Sequence, residues 1–371
     1  MRSGYSTMCG ICCLIVSGLP GTAVGQSAPQ VAPIPRDPLE LATGQIQIAD
    51  VPAKRNAALQ LLARARNSYA LRKLQRPWDL HVRFTVDSQG QTDYDGNWEM
   101  EDIFSPGQGL HWAAKSTSGF SITGIFGASA TYVEATAGVV PLRLQEARAM
   151  LYNPLPSVTY ANRGSIRTVA VNFRGAALTC VLLTGSHNGA GPAAQRAWGE
   201  SEDCIDSQSG LLRMHSEAPG RYAVYDYTNA FRLGSHTLPR TVTVTEGGRV
   251  VSTISVESLQ TVSSADPSLF VPTDGMKAAG PAIAMTAATR VSRLQGQGPL
   301  TPGMTLRPVC VFGMVTPEGH LVEAHSLQPS DPNSATAVKD AEAIDFSPSM
   351  HAGAPPQQHF VFVIEKFVTR Q

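Results

Sequence analysis

Strict two-residue alternation constrains this chain more than any other feature. Leu80, Val82, Phe84 and Val86 alternate with His81, Arg83, Thr85 and Asp87. After the turn Ser88-Gln89-Gly90, Thr92, Tyr94, Gly96, Trp98 and Met100 alternate with Asp93, Asp95, Asn97, Glu99 and Glu101. Successive strand side chains point to opposite faces, so each run has one apolar and one charged side. Two such runs joined by a turn make an antiparallel hairpin, buried on one face and wet on the other. Further strands are expected at Leu110–Lys115, Gly119–Thr123, Thr131–Glu134, Ile166–Phe173, Leu178–Thr184, Glu202–Asp206, Leu211–Ser216, Tyr222–Tyr227, Arg240–Thr245 and Arg249–Val262. Gly247-Gly248 supplies a hairpin turn before the last of these. Gly124-Ile125-Phe126-Gly127 reads as a bend between strands.

Two segments break this period. Pro52–Leu74 places Ala58, Leu62, Ala65 and Tyr69 on one helical face, and Pro141–Leu151 does the same with Leu144, Ala147 and Leu151. Both helices need an apolar surface to cover. The expected class is therefore α+β and β-dominated. A curved antiparallel half-barrel sheet with covering helices spans 51–275, and a small ββαβ unit follows. Leu80, Val82, Phe84, Trp98, Met100 and Trp112 are the candidate lining of an apolar cavity, with plain core packing as the alternative.

Charge and cysteines narrow the class of function. Basic and acidic residues balance at 29 each, so no basic excess points to nucleic acid. At the N-terminus, Arg2 precedes a short apolar core, Ile11–Leu19, then Pro20-Gly21 and the small residues Ala23-Val24-Gly25. That is a secretory signal over 1–25 with cleavage before Gln26, or else an uncleaved inner-membrane anchor. Cys9, Cys12 and Cys13 precede or begin the apolar core, where a lipidated cysteine would follow it. The expected location is the periplasm. There, Cys180 and Cys204 read as a structural disulfide across a hairpin closed by the Gly-rich loop Gly185–Gly199. Cys310 is left as a buried thiol.

Pro-rich 26–50 and Ala/Gly/Pro-rich 276–303 read as linkers. Beyond them, Arg307–Val315 alternates, Thr316-Pro317-Glu318-Gly319 turns, and His320–Leu327 returns as a strand. A helix over Ser334–Ala343 follows Pro332, with Asp331 as its expected cap. Ile344-Asp345-Phe346-Ser347-Pro348, the turn Gly353-Ala354-Pro355 and the apolar strand Phe360-Val361-Phe362-Val363-Ile364 complete the chain.

On these marks, 304–371 resembles the C-terminal domain of the TonB energy-transducer family. It departs from that family at Ile344, where an aromatic residue is usual, and at the acidic Asp340, Glu342 and Asp345. The larger unit is similar to the LolA/LolB-like fold of lipoprotein and lipid carriers. The matching pieces are Tyr94-Asp95-Gly96-Asn97-Trp98, Phe104-Ser105-Pro106, the Gly247-Gly248 hairpin and Asp266-Pro267-Ser268-Leu269-Phe270-Val271-Pro272. These resemblances imply a lipid or acyl-chain ligand in the large unit. They also imply an envelope-protein partner; because a ββαβ sheet has open edges, strand addition is expected at Phe360, Val361, Phe362, Val363 and Ile364 or at the neighbouring strand.

No catalytic constellation accompanies them. Ser186-His187 are adjacent in a Gly-rich loop, and no G-x-S-x-G elbow surrounds them. H-E-x-x-H is absent. Glu200, Glu202, Asp203 and Asp206 lack calcium-loop spacing and read as a solvated strand edge. His320 and His325 fall on opposite faces. The expectation is a non-enzymatic periplasmic binding or carrier protein, with no cofactor and no metal. The alternative is a TonB-type energy transducer for outer-membrane transport. A spacer of some 25 residues is short for that role at about 3.1 Å per residue.

Overall fold

The computed structural model describes residues 30–31, 47–48, 51–127, 130–136, 140–185, 196–278, 289–295, 304–347 and 358–370. The expected signal segment, most of the 26–50 linker, Ser186-His187 and Gly353-Ala354-Pro355 lie outside them.

Two bridges, β1 (Gln30–Val31) and β2 (Gln47–Ile48), precede helix α1 (Pro52–Ser68). Pro52 at the first helical position needs no partner for its missing N–H. A 3-10 turn at Leu71–Lys73 ends this segment short of the helix expected to run to Leu74. Then come β3 (Trp78–Val86), β4 (Gly96–Ser105), β5 (Gly109–Ser116), β6 (Ser121–Phe126) and β7 (Thr131–Ala135). Helices α2 (Leu142–Tyr152) and α3 (Val158–Arg163) follow, the latter capped by the Ser157 side chain accepting from the Tyr160 N–H. Next are β8 (Ser165–Phe173), β9 (Ala176–Thr184), β10 (Ser201–Asp206), β11 (Leu212–Ala218), β12 (Arg221–Asp226), β13 (Phe231–Leu233), β14 (His236–Leu238), β15 (Thr241–Glu246) and β16 (Arg249–Thr261). The chain closes with β17 (Lys277–Ala278), β18 (Thr289–Gln295), β19 (Met304–Val315), β20 (Leu321–Ser326), α4 (Ser334–Glu342) and β21 (His359–Arg370).

Fourteen strands form one open sheet in the order β17-β7-β6-β5-β4-β3-β16-β15-β12-β11-β10-β9-β8-β2. Laid flat, at about 4.8 Å per strand, it would span roughly 60 Å. Yet Trp112 and Ile122 near one end share a single core with Ile166, Val181 and Ile205 near the other. The sheet therefore curls, and that core lies on its concave face. Helix α1 buries Ala58, Leu61, Leu62 and Ala65 there, and Tyr69 follows on the same face. At the curl, Gly124 is within β6 rather than at a bend. A Cβ there would stand 2.2 Å from the Trp112 indole nitrogen, so the missing side chain makes room for the ring.

The small sheet has β19 and β21 at its centre, with β20 beside β19 and β18 outside β21. Its alternation is used twice. Val309, Val311, Val361 and Val363 face α4, whereas Cys310, Phe312, Met314, Phe360, Phe362 and Ile364 share a second core with Leu142, Trp198 and Ala218 of the large unit. The two sheets are packed together. Two glycines fit this contact. A Cβ on Gly220 (φ 85°) would lie 2.6 Å from the Leu327 carbonyl oxygen, and one on Gly247 (φ 58°) 2.7 Å from that of Ser326. Both hairpin tips thus abut the end of β20.

Several expectations change. Phe360–Ile364 is not an open edge: β19 pairs with one side of it and β18 with the other. Strand β18 itself lies in the stretch read as a linker. Asp331 does not cap α4 directly, because Asn333 holds the cap position, and Asp331 instead accepts from the Asn333 N–H at 2.9 Å. Among the described residues, no helix is long and apolar enough to cross a membrane.

Candidate functional site

The concave face has two halves of different chemistry. In β3–β5 the inward row is apolar apart from Asp102. Leu80, Val82, Phe84, Trp98, Met100 and Trp112 are all buried in the one core, so the six residues singled out from alternation do come together. Their rings stack: Phe84 on Trp98 at 5.3 Å, Trp78 on Phe104 at 5.5 Å, Trp112 on Phe126 at 6.1 Å. Arg148 from α2 lies 4.1 Å over the Trp112 ring and donates to Asp102 at 2.8 Å. Stacked rings and a cation over an aromatic face are each favourable beyond plain burial.

Across β10–β12 the same face carries charges as well as apolar groups: Asp203, His215, Glu217 and Arg221. Glu200, Glu202 and Asp203 are buried, which corrects their reading as a solvated edge. The reason is position: β10 is an interior strand between β9 and β11, and its carboxylates are met by cations. On the opposite face, that of Cys204 and Val169, Arg167 donates to Glu200 at 2.7 Å through Nε, and Arg196 to Glu202 at 3.3 Å. Asp203 meets His215 Nδ1 at 2.8 Å, and His215 Nε2 lies 3.4 Å from Glu217. Burial opposes the charge on His215, but Glu217 and Asp203 outweigh it and push the imidazole up to about 10. Burial likewise raises Tyr69 and Tyr225 well above the usual phenol range, so both hydroxyls keep their protons. On the opposite face of β8–β12, Cys180 lies directly across from Cys204, and a disulfide joins them as expected.

From Glu217 the ionic contacts continue into the small sheet. Arg221 meets Glu217 and Glu146, and its Nε donates to Glu246 at 2.8 Å. Arg143 from α2 grips Glu246 with two bonds of 2.7 and 2.9 Å, and also meets Glu146 and Glu323. His325 Nε2 lies 2.6 Å from Glu246. The two guanidiniums cover Phe312 at 5.3 and 4.7 Å, and Arg221 covers Phe360 at 4.8 Å. Burial opposes ionisation of Glu246, yet Arg143 and Arg221 hold its carboxyl well below the usual range. Burial raises Glu323, with Arg143 only partly offsetting it. The result is an unbroken path of ionic contacts from Asp203 on the concave floor to His325 in β20. Glu246, Glu323 and His325 are close enough to hold a metal, but both guanidiniums already occupy Glu246.

Sequence reasoning passed over this network. Arg143 and Glu146 interrupt the apolar face of α2 and look solvated there, although both are 2% exposed. One signal was available: strict alternation in β15 puts Glu246 on the face of Val242 and Val244.

No family model matches the chain, and no curated protein does. Solved structures are similar over part of it. An outer membrane lipoprotein-sorting protein domain from Vibrio parahaemolyticus has 8% identity and a TM-score of 0.36, covering 58% of this chain and 97% of that one. A LolA-superfamily protein from Nitrosomonas europaea has 10% identity and a TM-score of 0.35, with coverage of 58% and 97%. MucB in the MucA/MucB complex from Pseudomonas aeruginosa has 12% identity and a TM-score of 0.27, with coverage of 67% and 69%. Likenesses this distant concern the path of the chain alone.

Proposed function

We propose that this protein is a non-enzymatic binding protein of the cell envelope that carries an apolar ligand, a lipid or acyl chain, between the concave face and its helices. The observation behind this reading is the continuous aromatic and aliphatic row of β3–β5 beneath separate helical covers. A helix laid across a sheet by side-chain packing can lift as a unit, because no backbone ladder ties it down. An acyl chain would replace helix contacts with its own and leave the strands unchanged.

In this reading the small sheet is an accessory to the large one. Its apolar face is already committed to Leu142, Trp198 and Ala218. Strand addition of an envelope protein would use β18, where the sheet ends among the described residues, and not Phe360–Ile364. The purified protein, extracted and examined by mass spectrometry, is expected to yield stoichiometric lipid, or to take up a fluorescent fatty acid with saturation. Failure of both would sink the carrier reading.

A further inference from the structure

Beneath α1, four buried polar atoms have no hydrogen-bond partner: Arg66 Nε, Arg213 Nε, Asp203 Oδ2 and the Tyr225 hydroxyl. Native folds keep few such atoms, because each loses its water without replacement. A chain of neighbours links their residues. Arg66 stands three residues before Tyr69, on the same side of α1. Its Nη2 donates to the Pro156 carbonyl at 2.6 Å, and Asp203 is the charge that acts on its guanidinium. The Tyr69 ring meets Tyr225 edge-on at 6.3 Å, and its hydroxyl meets that of Tyr227. Arg213 lies 5.6 Å over the Tyr227 ring. Asp203 spends only Oδ1 on His215. Asp203 and Tyr225 are 0% and 1% exposed.

The free valences specify a ligand. Two guanidinium N–H groups and a phenol O–H are left as donors, which suits an oxyanion. One carboxylate oxygen remains as an acceptor, which suits a hydroxyl. Arg66 and protonated His215 face Asp203, Arg213 acts on Asp226, and Glu217 is shared between His215 and Arg221.

The floor also leads somewhere. Tyr225 pairs with Val242, Val242 with Ile254, Ile254 with Phe84, and Phe84 with Trp98. This row of buried side chains crosses five strands, about 19 Å, from the polar half to the apolar half.

We infer that Arg66, Arg213, Tyr225 and Asp203 bind the head of an anionic amphiphile, an oxyanion with a neighbouring hydroxyl, whose tail runs along Val242, Ile254, Phe84 and Trp98. The inference rests on the concave face being the ligand face. It adds where the head sits and what chemistry it has.

Three probes test it by calorimetry on the full chain. They are lauroyl lysophosphatidylglycerol, monolauroylglycerol with the same chain and a free hydroxyl beside it but no oxyanion, and glycerol 1-phosphate without a chain. The phosphatidylglycerol is expected to bind tighter than monolauroylglycerol by about tenfold or more, the scale of one charge-assisted hydrogen bond. Tyr225→Phe and Arg213→Gln are expected to weaken the phosphatidylglycerol far more than monolauroylglycerol, so that the preference is lost. Tyr225→Phe removes only an unpartnered hydroxyl, so its thermal unfolding midpoint should not fall. Equal affinity for the two lauroyl probes, or a preference that survives Tyr225→Phe, would overturn the head site and leave the carrier reading standing. Glycerol 1-phosphate binding as tightly as the amphiphile would reassign the site to a free anion. No binding of either lauroyl probe would overturn both readings.

Discussion

The two halves of the concave face are built on the same sheet and the same alternation, yet they solve burial differently. In β3–β5 the inward side chains other than Asp102 are apolar and pack on one another, several by stacking. In β10–β12 the inward rows also hold Asp203, His215, Glu217 and Arg221, and each charge requires a partner of opposite sign. The apolar half can exchange neighbours at modest cost, since dispersion contacts are interchangeable. The ionised half cannot, because a buried charge that loses its partner is left uncompensated. This difference gives the first half the properties of a surface for a variable tail, and the second those of a fixed anchor.

Breaking the ionised path should have the largest effect. Arg143→Ala leaves Glu246 and Glu323 without their shared cation, and should cost about 3–5 kcal/mol in denaturant unfolding. An effect under about 1 kcal/mol, the range of exposed pairs, would mean that the network is not buried in solution. Removing the disulfide with Cys180→Ala/Cys204→Ala should follow at roughly 3 kcal/mol, from the entropy of a loop with a sequence separation of 24.

The pH dependence separates the halves without a change of size. His215 has its folded pKa raised to about 10 from 6.5, so the folded state holds a proton there that the unfolded state releases first. Its contribution is fully present below about 6.5 and is lost as pH rises toward 10. Thermal melts from pH 6.5 to 10 should show that decline, and His215→Gln should flatten it. Phe84→Leu, in the apolar half, should shift the melting temperature at every pH equally and leave the slope intact. A slope unchanged by His215→Gln would contradict the assigned pairing.

Much of the fold could be read from the sequence, because alternation is local. Strands β3, β8 and β9 and helix α1 follow from residues a few positions apart, and the Cys180–Cys204 bridge from one hairpin with a separation of 24. The interface network could not be read in the same way. Arg143 finds Glu246 and Glu323 across 103 and 180 residues, and nothing near Arg143 announces them. Strand β18 was missed because Thr289–Gln295 is polar and follows an Ala/Gly/Pro-rich run; its pairing with β21 supplies the order that its composition does not. Strand Phe360–Ile364 looked like an exposed apolar edge for the converse reason. Its partners on both sides, and the large sheet that covers Phe360 and Phe362, are distant in sequence.

The ligand face is tested most directly by contact quenching. Three of the four tryptophans, Trp78, Trp98 and Trp112, are in the concave-face core, and Trp198 lies between the sheets. In a Trp198→Phe protein, a lysophospholipid brominated along its acyl chain should quench the remaining emission at saturation, while the unbrominated lipid should not. Binding of the brominated lipid without quenching would place the chain elsewhere and contradict the concave face as its site.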